Sequence, residues 1–401
     1  MSAPHAVISG ASIAGLSAAF WLRHTGWDVT VVERAPAFRD GGQNVDVRGV
    51  AKQVLERMGL TEAVRAVNTT ETGTVLVDRH GAVTATLPDG PDGATAELEV
   101  LRGDLARTVR DALPEGVRFV FGERITDVDD LAAEHVTVTT DAGRHLRADL
   151  LVVAEGVRSR TRALVFDHPD DVSKRALGVT MAFGTIPRTV SDDDRWRWYN
   201  AVGGRQVHLR PDPHGTTRAI LACATGEDDR TGTDDPTVLD RIGERFADAG
   251  WQTQRVLDGF ATSDDVYVDR LTQIRMPRWR RGRVAVIGDA AWCVTPMGGG
   301  GASLALTSGY VLAASLGPRR LDRAALDRAL GAFDDWMRPL VDDVQGIPRG
   351  IVRFAYPRTH LGLAARRVLD KVLLEGPLRG VAARLTRVAE TDRELPVVRT
   401  A

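Results

Sequence analysis

Cysteine, lysine and long apolar runs are what this chain of 401 residues has least of. Cys223 and Cys293 are its only cysteines, too few for a disulfide framework or a cysteine-based zinc site. A reducing, cytoplasmic setting is the expectation that follows. Lysine stands only at 52, 174 and 371, so positive charge is almost all arginine, and no basic cluster accompanies it. With a net charge of −2 there is no global field to gather nucleic acid or an anionic membrane. No window of ~20 apolar residues offers a membrane span. The apolar stretch Val7–Leu22 lacks a basic leader and carries a glycine turn, so it reads as a fold element and not an export signal. Internal repeats, low-complexity tracts, long linkers and metal-ligand spacings are also missing.

What is present is an ordinary globular composition, 43% hydrophobic and 26% charged, long enough for two domains of ~100–200 residues each. Near its start, the apolar run Ala6–Ser9 predicts a short buried strand. Ile13–His24 has helical spacing, Gly26 stops it, and Asp28–Val32 predicts a second strand ending in Glu33. Between strand and helix lies a glycine turn. Gly10 permits the tight bend, a small residue at Ser12 lets backbone approach a pyrophosphate, and Gly15 allows close helix–strand packing. Ile13 and Ala14 then begin a helix whose free N–H groups favour phosphate. Glu33 is placed to accept from ribose hydroxyls. The fingerprint carries glycine where this chain has Ser12.

A second turn of this kind lies about 270 residues further on. Arg283–Ile287 predicts a β-branched strand and Ala302–Leu316 a buried helix, with Asp289, Pro296 and the run Gly298-Gly299-Gly300-Gly301 between them. A carboxylate at a strand end suits the ribityl chain of a flavin. Glycine N–H groups before a helix suit the electron-rich edge of its ring, where the helix dipole favours negative charge. Two such turns point to FAD and not to NAD.

Together with further segments, these turns resemble the class A flavoprotein monooxygenases, the family with the para-hydroxybenzoate hydroxylase fold that includes tetracycline-inactivating monooxygenases. The matching pieces are Gly10–Gly15 with Glu33-Arg34, then Gly41–Gly49 (Gly-Gly-Gln-Asn-Val-Asp-Val-Arg-Gly) and Leu101–Leu105 (Leu-Arg-Gly-Asp-Leu). Asp149–Ser159 and Gly282–Pro296 complete the set. The third nucleotide motif normally reads Asp-Gly, where this chain has Glu155-Gly156; the family implicates that segment in FAD and NADPH contact. By position the resemblance implies Glu33 on the adenosine ribose with Arg34 nearby, and Arg102 along the pyrophosphate or ribityl chain. It places Gly156 at the third motif, Asp289 on the ribityl hydroxyls, and Pro296, Gly299, Gly300, Gly301 and Ala302 beside the ring. Asp46 and Arg48 would lie near the flavin, with Arg48 holding the ring or a substrate oxygen. Cys293, near the ring in sequence, reads as packing.

The resemblance implies an α/β fold: a Rossmann-like, three-layer ββα FAD-binding domain, an inserted mostly antiparallel substrate-binding sheet, and C-terminal helices. The expected boundaries are 1–74, 101–174 and 276–318 for the FAD domain, 75–100 and 175–275 for the substrate domain, and 319–401 for helices bridging the two. Alternation at Thr74–Asp78 and Val83–Leu87 around Arg79-His80-Gly81 predicts a hairpin. Leu177–Thr185, Trp196–Ala201, Gln206–Arg210, Arg218–Ala222 and Val266–Gln273 predict further strands. Period-two alternation puts His208 and Arg210 on one face and Val207 and Leu209 on the other. If the first face lines the cavity, His208 can exchange a proton with an enol or phenol and Arg210 can hold an oxyanion. The alternative is a surface histidine and an exposed arginine. Arg323–Val344 is an amphipathic helix, Leu361–Ala389 predicts one or two helices broken at Gly376-Pro377, and Thr391–Ala401 reads as a loose terminus.

The function that follows is an FAD-dependent monooxygenase with NADPH or NADH and O₂ as co-substrates. Oxygen added at the flavin C4a as a hydroperoxide would pass to an electron-rich carbon of a phenolic, enolic or polyketide-like small molecule. Two other readings of the fold are a cyclase whose flavin does no redox work and a dinucleotide sensor without catalysis. A flavin-dependent halogenase lacks its Trp-x-Trp-x-Ile-Pro signature, because Trp196-Arg197-Trp198-Tyr199-Asn200 continues differently. The chain reads equally as a monomer or a homodimer.

Overall fold

Five short apolar strands form a parallel sheet in the order Val284–Val286, Leu150–Val153, His5–Ser9, Asp28–Glu33, Val117–Phe121, with Arg280–Arg281 added antiparallel at one edge. Val117–Phe121 at the edge is only partly buried, while the central strands Leu150–Val153, His5–Ser9 and Val284–Val286 are buried almost throughout, as in a sheet covered on both faces. Helices Ile13–His24, Arg102–Asp111 and Gly301–Leu316, together with a three-stranded antiparallel sheet, cover it, and one continuous apolar core joins these layers. The computed structural model describes residues 3–39, 41–87, 98–130, 134–226, 235, 237–347, 350–375, 391 and 393–400.

A second, seven-stranded sheet runs Tyr267–Arg275, Ser173–Pro187, Thr216–Ala224, Arg205–Pro211, Trp196–Ala201, Thr74–Val77, Val83–Thr86. Every pairing in it is antiparallel except Trp196–Ala201 against Thr74–Val77. Its strands thus come from two separate stretches of the chain. Alternation sorts its side chains as the sequence predicts. Val207 and Leu209 join Val75, Tyr199 and Leu221 in a core closed by helices Val238–Phe246 and Thr253–Phe260. The opposite face carries Met181, Phe183, Ile220 and Ala222 toward Tyr356 and Met297. Glu99–Leu101 pairs with Asn44–Asp46 in a separate two-stranded ribbon.

The helix Arg323–Val344 forms as its apolar rhythm requires, burying Leu326, Leu330, Phe333, Met337 and Leu340. A last helix spans His360–Glu375; Gly376-Pro377 and the helix expected to follow lie outside the described residues. The terminus is not loose where it is described. Leu395 enters the main core, Tyr310 Oη donates to the Pro396 carbonyl at 2.7 Å, and Arg393 Nη1 donates to the Asp335 carbonyl at 3.0 Å. A single leucine finding a gap between two helices leaves no periodic signal, so the sequence could not announce this docking. No helix among the described residues is long and apolar enough to cross a membrane.

Candidate active site

Three turns meet at the carboxyl ends of three adjacent parallel strands, the place where open α/β sheets bind ligands. In the first, Gly10 has φ +108°, and a Cβ on it would lie 2.6 Å from the Ala154 carbonyl oxygen of the second. In the third, Gly288 has φ +60°, and a Cβ there would lie 2.7 Å from that of Ala14 in the first. Gly15 sits so close beneath the turn that its Cβ would fall 1.9 Å from the Gly10 carbonyl oxygen. Tertiary structure therefore brings both distant glycine turns into contact.

Two helices start at this junction without a side-chain cap. The helix Ile13–His24 follows Ser12, whose hydroxyl accepts from Arg102 Nη2 at 2.7 Å instead of capping. The helix Gly301–Leu316 follows Gly300, which has φ +67° and no side chain to cap with. Neither has an acidic residue in its first turn, so both present uncompensated N–H groups and positive dipole ends. Asp289 lies deep in the molecule, where burial pushes its carboxyl pKa up against the pull of Arg102, yet its side chain is open to solvent. Depth combined with access is the signature of a groove floor. Arg102 is exposed along the groove wall, and its aliphatic stem is the nearest neighbour a Cβ on Gly42 would meet.

Around this groove the other expected cofactor residues fall as follows. Glu33 accepts from the Ala11 and Ala35 N–H groups at 2.8 and 2.9 Å, which fixes its carboxylate against the first turn; Arg34 is exposed beside it. Asp46 and Arg48 form an ion pair at 3.0 Å. Ser303, in the first turn of the distal helix, pins that segment by accepting from Arg48 N–H at 2.9 Å and donating to the Asp46 carbonyl at 3.1 Å. Gly156 has φ +82°, Gly299 has φ +65°, Pro296 is exposed, and Ala302 is buried beside Gly301 in the first turn of the distal helix. The residues present fit a dinucleotide flavin: two helix ends and Arg102 for phosphate, carboxylates for hydroxyls, and glycines at 10, 15 and 288 that let the turns pack closely around that junction.

Glu155 has a different place from the one its motif suggests. Burial works against its charge, but hydrogen bonds outweigh that cost and hold its carboxyl below the usual range. The donors are Ser9 Oγ, Thr161 Oγ1 at 2.5 Å, Ser159 Oγ at 2.7 Å and Thr161 N–H at 3.0 Å. Both its oxygens are therefore engaged within the fold, tying the first strand to the helix Arg160–Val165. Buried Arg162 reinforces the same region through the Ala290 and Val157 carbonyls at 2.6 and 3.0 Å. Cys293 is buried, and that burial pushes its thiol up, consistent with packing.

The face of the seven-stranded sheet that carries Ile220 and Ala222 also carries a group of aromatic and charged side chains. Trp196, Trp198, His208 and Arg210 share it: Trp198 stacks on His208 at 4.7 Å between ring centroids, and the Arg210 guanidinium lies 3.9 Å from the centre of the Trp196 ring. His208 does not have the freedom of a proton carrier. Its Nδ1 accepts from Trp196 Nε1 at 3.1 Å and its Nε2 faces Gln206 Oε1 at 3.3 Å. Burial and then Arg210 push its pKa down to about 3, so it is a neutral, fixed part of the wall. Arg210, far from being exposed, is sandwiched between Glu71 and Glu99, which are 139 and 111 residues away in sequence. Tyr267 stacks on Phe183 at 5.0 Å and donates to Gln43 Oε1, bracing the sheet against the Gly41–Gly49 segment. Glu71 and Glu99 were not legible in the sequence, because neither belongs to a motif and each acts through a long-range contact; Gln43 stands inside the Gly41–Gly49 segment and Gln206 on the predicted strand of His208, but nothing in either residue type announced its contact.

Residues 4–329 match the FAD binding domain family. The chain is 33% identical over 389 residues to the flavin-dependent monooxygenase eupH of a Phoma species, with 90% of each chain covered. It is 32% identical over 324 residues to the FAD-dependent monooxygenase asL4 of Sarocladium schorii, covering 77% of this chain and 75% of that one. Among solved structures, the tetracycline destructase Tet(51) superposes with a TM-score of 0.81 at 26% identity, covering 99% of both chains.

Proposed function

The chain belongs to the FAD binding domain family as a class A flavin-dependent monooxygenase, and on that premise we propose that it uses NADPH or NADH and O₂ to oxygenate a planar phenolic, enolic or polyketide-like small molecule. The observation that carries this reading is Asp289, deep yet open to solvent, at the junction of two uncapped helix ends, and what supports it further is the group of stacked aromatic rings and one arginine on the seven-stranded sheet. When bound, reduced FAD supplies the activation of O₂ that places one oxygen atom on an electron-rich carbon.

The protein's share is binding, orientation and charge. The Gly10 turn, Ser12 and Arg102 would hold the pyrophosphate, Glu33 the adenosine ribose and Asp289 the ribityl hydroxyls. Gly299–Ala302 would direct N–H groups at the ring edge, where the dipole of a 16-residue helix favours negative charge. Asp46 and Arg48 would border the ring. Trp196, Trp198 and His208 offer a flat apolar surface, and Arg210 an anchor for an oxyanion at its edge. An anchored phenolate or enolate is electron-rich at the carbon to be attacked. The wall also keeps water from the reacting atoms. We take residues 1–74, 101–174 and 276–318 as the FAD-binding unit, 75–100 and 175–275 as the substrate-binding unit, and 319–401 as the bridge. Aromatic or enolised substrates are also favoured by the likeness to a tetracycline destructase.

The test is an anaerobic NADPH and NADH titration of the FAD-loaded protein, followed by visible absorbance with and without candidate phenols. Bleaching of the flavin and its return in air is the expected result. A flavin that stays oxidised under all these conditions would refute the monooxygenase reading in favour of a flavin-holding cyclase.

A further inference from the structure

Arg210 is held in an arrangement whose charges do not balance. Its Nε donates to Glu71 Oε2 at 2.9 Å and its Nη2 to Glu99 Oε1. The side chains of Glu71 and Glu99 are 1% and 2% exposed, so two carboxylates share one guanidinium out of reach of water. The neighbouring charges do not correct this. Asp46 and Arg48 cancel in their own ion pair, and Arg218, opposite Arg210 on the next strand, is paired with Asp212 and Asp265. His208 beside it is neutral. With both glutamates ionised the sealed cluster would carry one uncompensated negative charge, a costly state in a low-dielectric interior.

The hydrogen bonds show the same shortfall. Glu71 Oε1 and Glu99 Oε2 are buried without any partner, as is Oδ1 of Asn44, whose Nδ2 donates to Glu99 Oε1 at 3.1 Å. A carboxylic acid proton on one of these oxygens, donated to a second, would relieve two of the three. One proton supplies the donor and cancels the surplus charge together.

We propose that Glu71 and Glu99 share a single proton at neutral pH and thereby act as positioning residues, holding Arg210 against Trp196 with one compensating charge and not two. Nη1, which takes no part in either carboxylate bond, then remains a cationic donor for a substrate oxyanion. This last role rests on the monooxygenase reading; the shared proton does not. The three side chains come from three separate elements: the loop before Thr74–Val77, the ribbon of Asn44–Asp46 with Glu99–Leu101, and the seven-stranded sheet. The proton therefore also governs how the ribbon meets the sheet. Burial as the leading cause, opposed by Arg210, raises both carboxyls, Glu99 to about 8.

Infrared difference spectroscopy of the FAD-loaded protein in H₂O and D₂O tests this directly. The parent protein should show a deuterium-sensitive carboxylic acid C=O band that titrates away with a midpoint near 8. Glu71→Gln and Glu99→Gln should each abolish it, because removing either carboxylate balances the cluster without a proton. A band that survives in both variants overturns the proposal, and loss in only one variant localises the proton and overturns the sharing. If a variant does not fold, the parent decides: no carboxylic acid band titrating between pH 6 and 10 refutes the idea, a range bracketing the expected midpoint near 8. The band does not depend on turnover. A protein that shows it yet never reduces its flavin keeps the shared proton and loses the monooxygenase reading, and the converse result separates them equally well.

Discussion

Replacing Gly15 by alanine adds one methyl group at the tightest point of the nucleotide turn. The new Cβ would lie 1.9 Å from the Gly10 carbonyl oxygen, 3.1 Å from its carbon and 3.4 Å from Ile8 Cγ2. Turn and helix must separate by about 1 Å before this contact is tolerable. Neither is free to move. Gly10 N–H donates to the Val32 carbonyl at 2.8 Å, and the space behind Gly10 is filled by the Ala154 carbonyl. The helix is locked from the other side, where it crosses Gly309 so closely that a Cβ there would lie 2.4 Å from Ala18 N. Overpacking of this kind destabilises by about 1–3 kcal/mol. Displacing the helix end from the phosphates should cost at least one charge-assisted hydrogen bond, about 1.5–3 kcal/mol. That corresponds to an FAD affinity weakened about 10- to 100-fold. Fluorescence titration of the apoprotein with FAD, alongside Tm with and without the cofactor, measures both effects. Gly41→Ala is the control, since nothing lies within 4 Å of a Cβ there. If Gly15→Ala binds FAD as the parent does and melts at the same temperature, the close packing of turn on helix is refuted.

Asp289→Ala removes the carboxylate from the groove floor and should lower FAD retention about 10- to 100-fold with little change in Tm of the apoprotein. Unchanged flavin per protein after purification would rule out its ribityl role. Glu155→Gln strands donors among Ser9, Ser159 and Thr161, and should destabilise by about 1–3 kcal/mol for each donor left unpaired. Because the folded Glu155 carboxyl lies below its ordinary value of 4.5, its contribution is fully present above that pH. It is lost as pH falls through the folded value. Denaturation of parent and variant should therefore converge in acid and diverge toward neutrality; a difference independent of pH would contradict the assignment.

Local chemistry was written in the chain. A strand, a glycine turn and a helix need only neighbouring residues, so Gly10–Gly15 and Gly288–Asp289 were legible, as was the flavin they imply. Alternation is equally local, and it placed Val207 and Leu209 in one core and His208 and Arg210 on the other face. What those side chains became was decided elsewhere. Burial against two tryptophans made His208 a neutral wall, and Arg210 acquired Glu71 and Glu99 from elements with no motif of their own. Glu155 was drawn into the fold by Ser9, and Leu395 was docked by a gap between helices. Sequence determines turns, periodicity and the dinucleotide fingerprint because these depend on backbone geometry over a few residues. Protonation, charge balance and the shape of the wall depend on which distant groups share a dry space, and only the tertiary structure decides that.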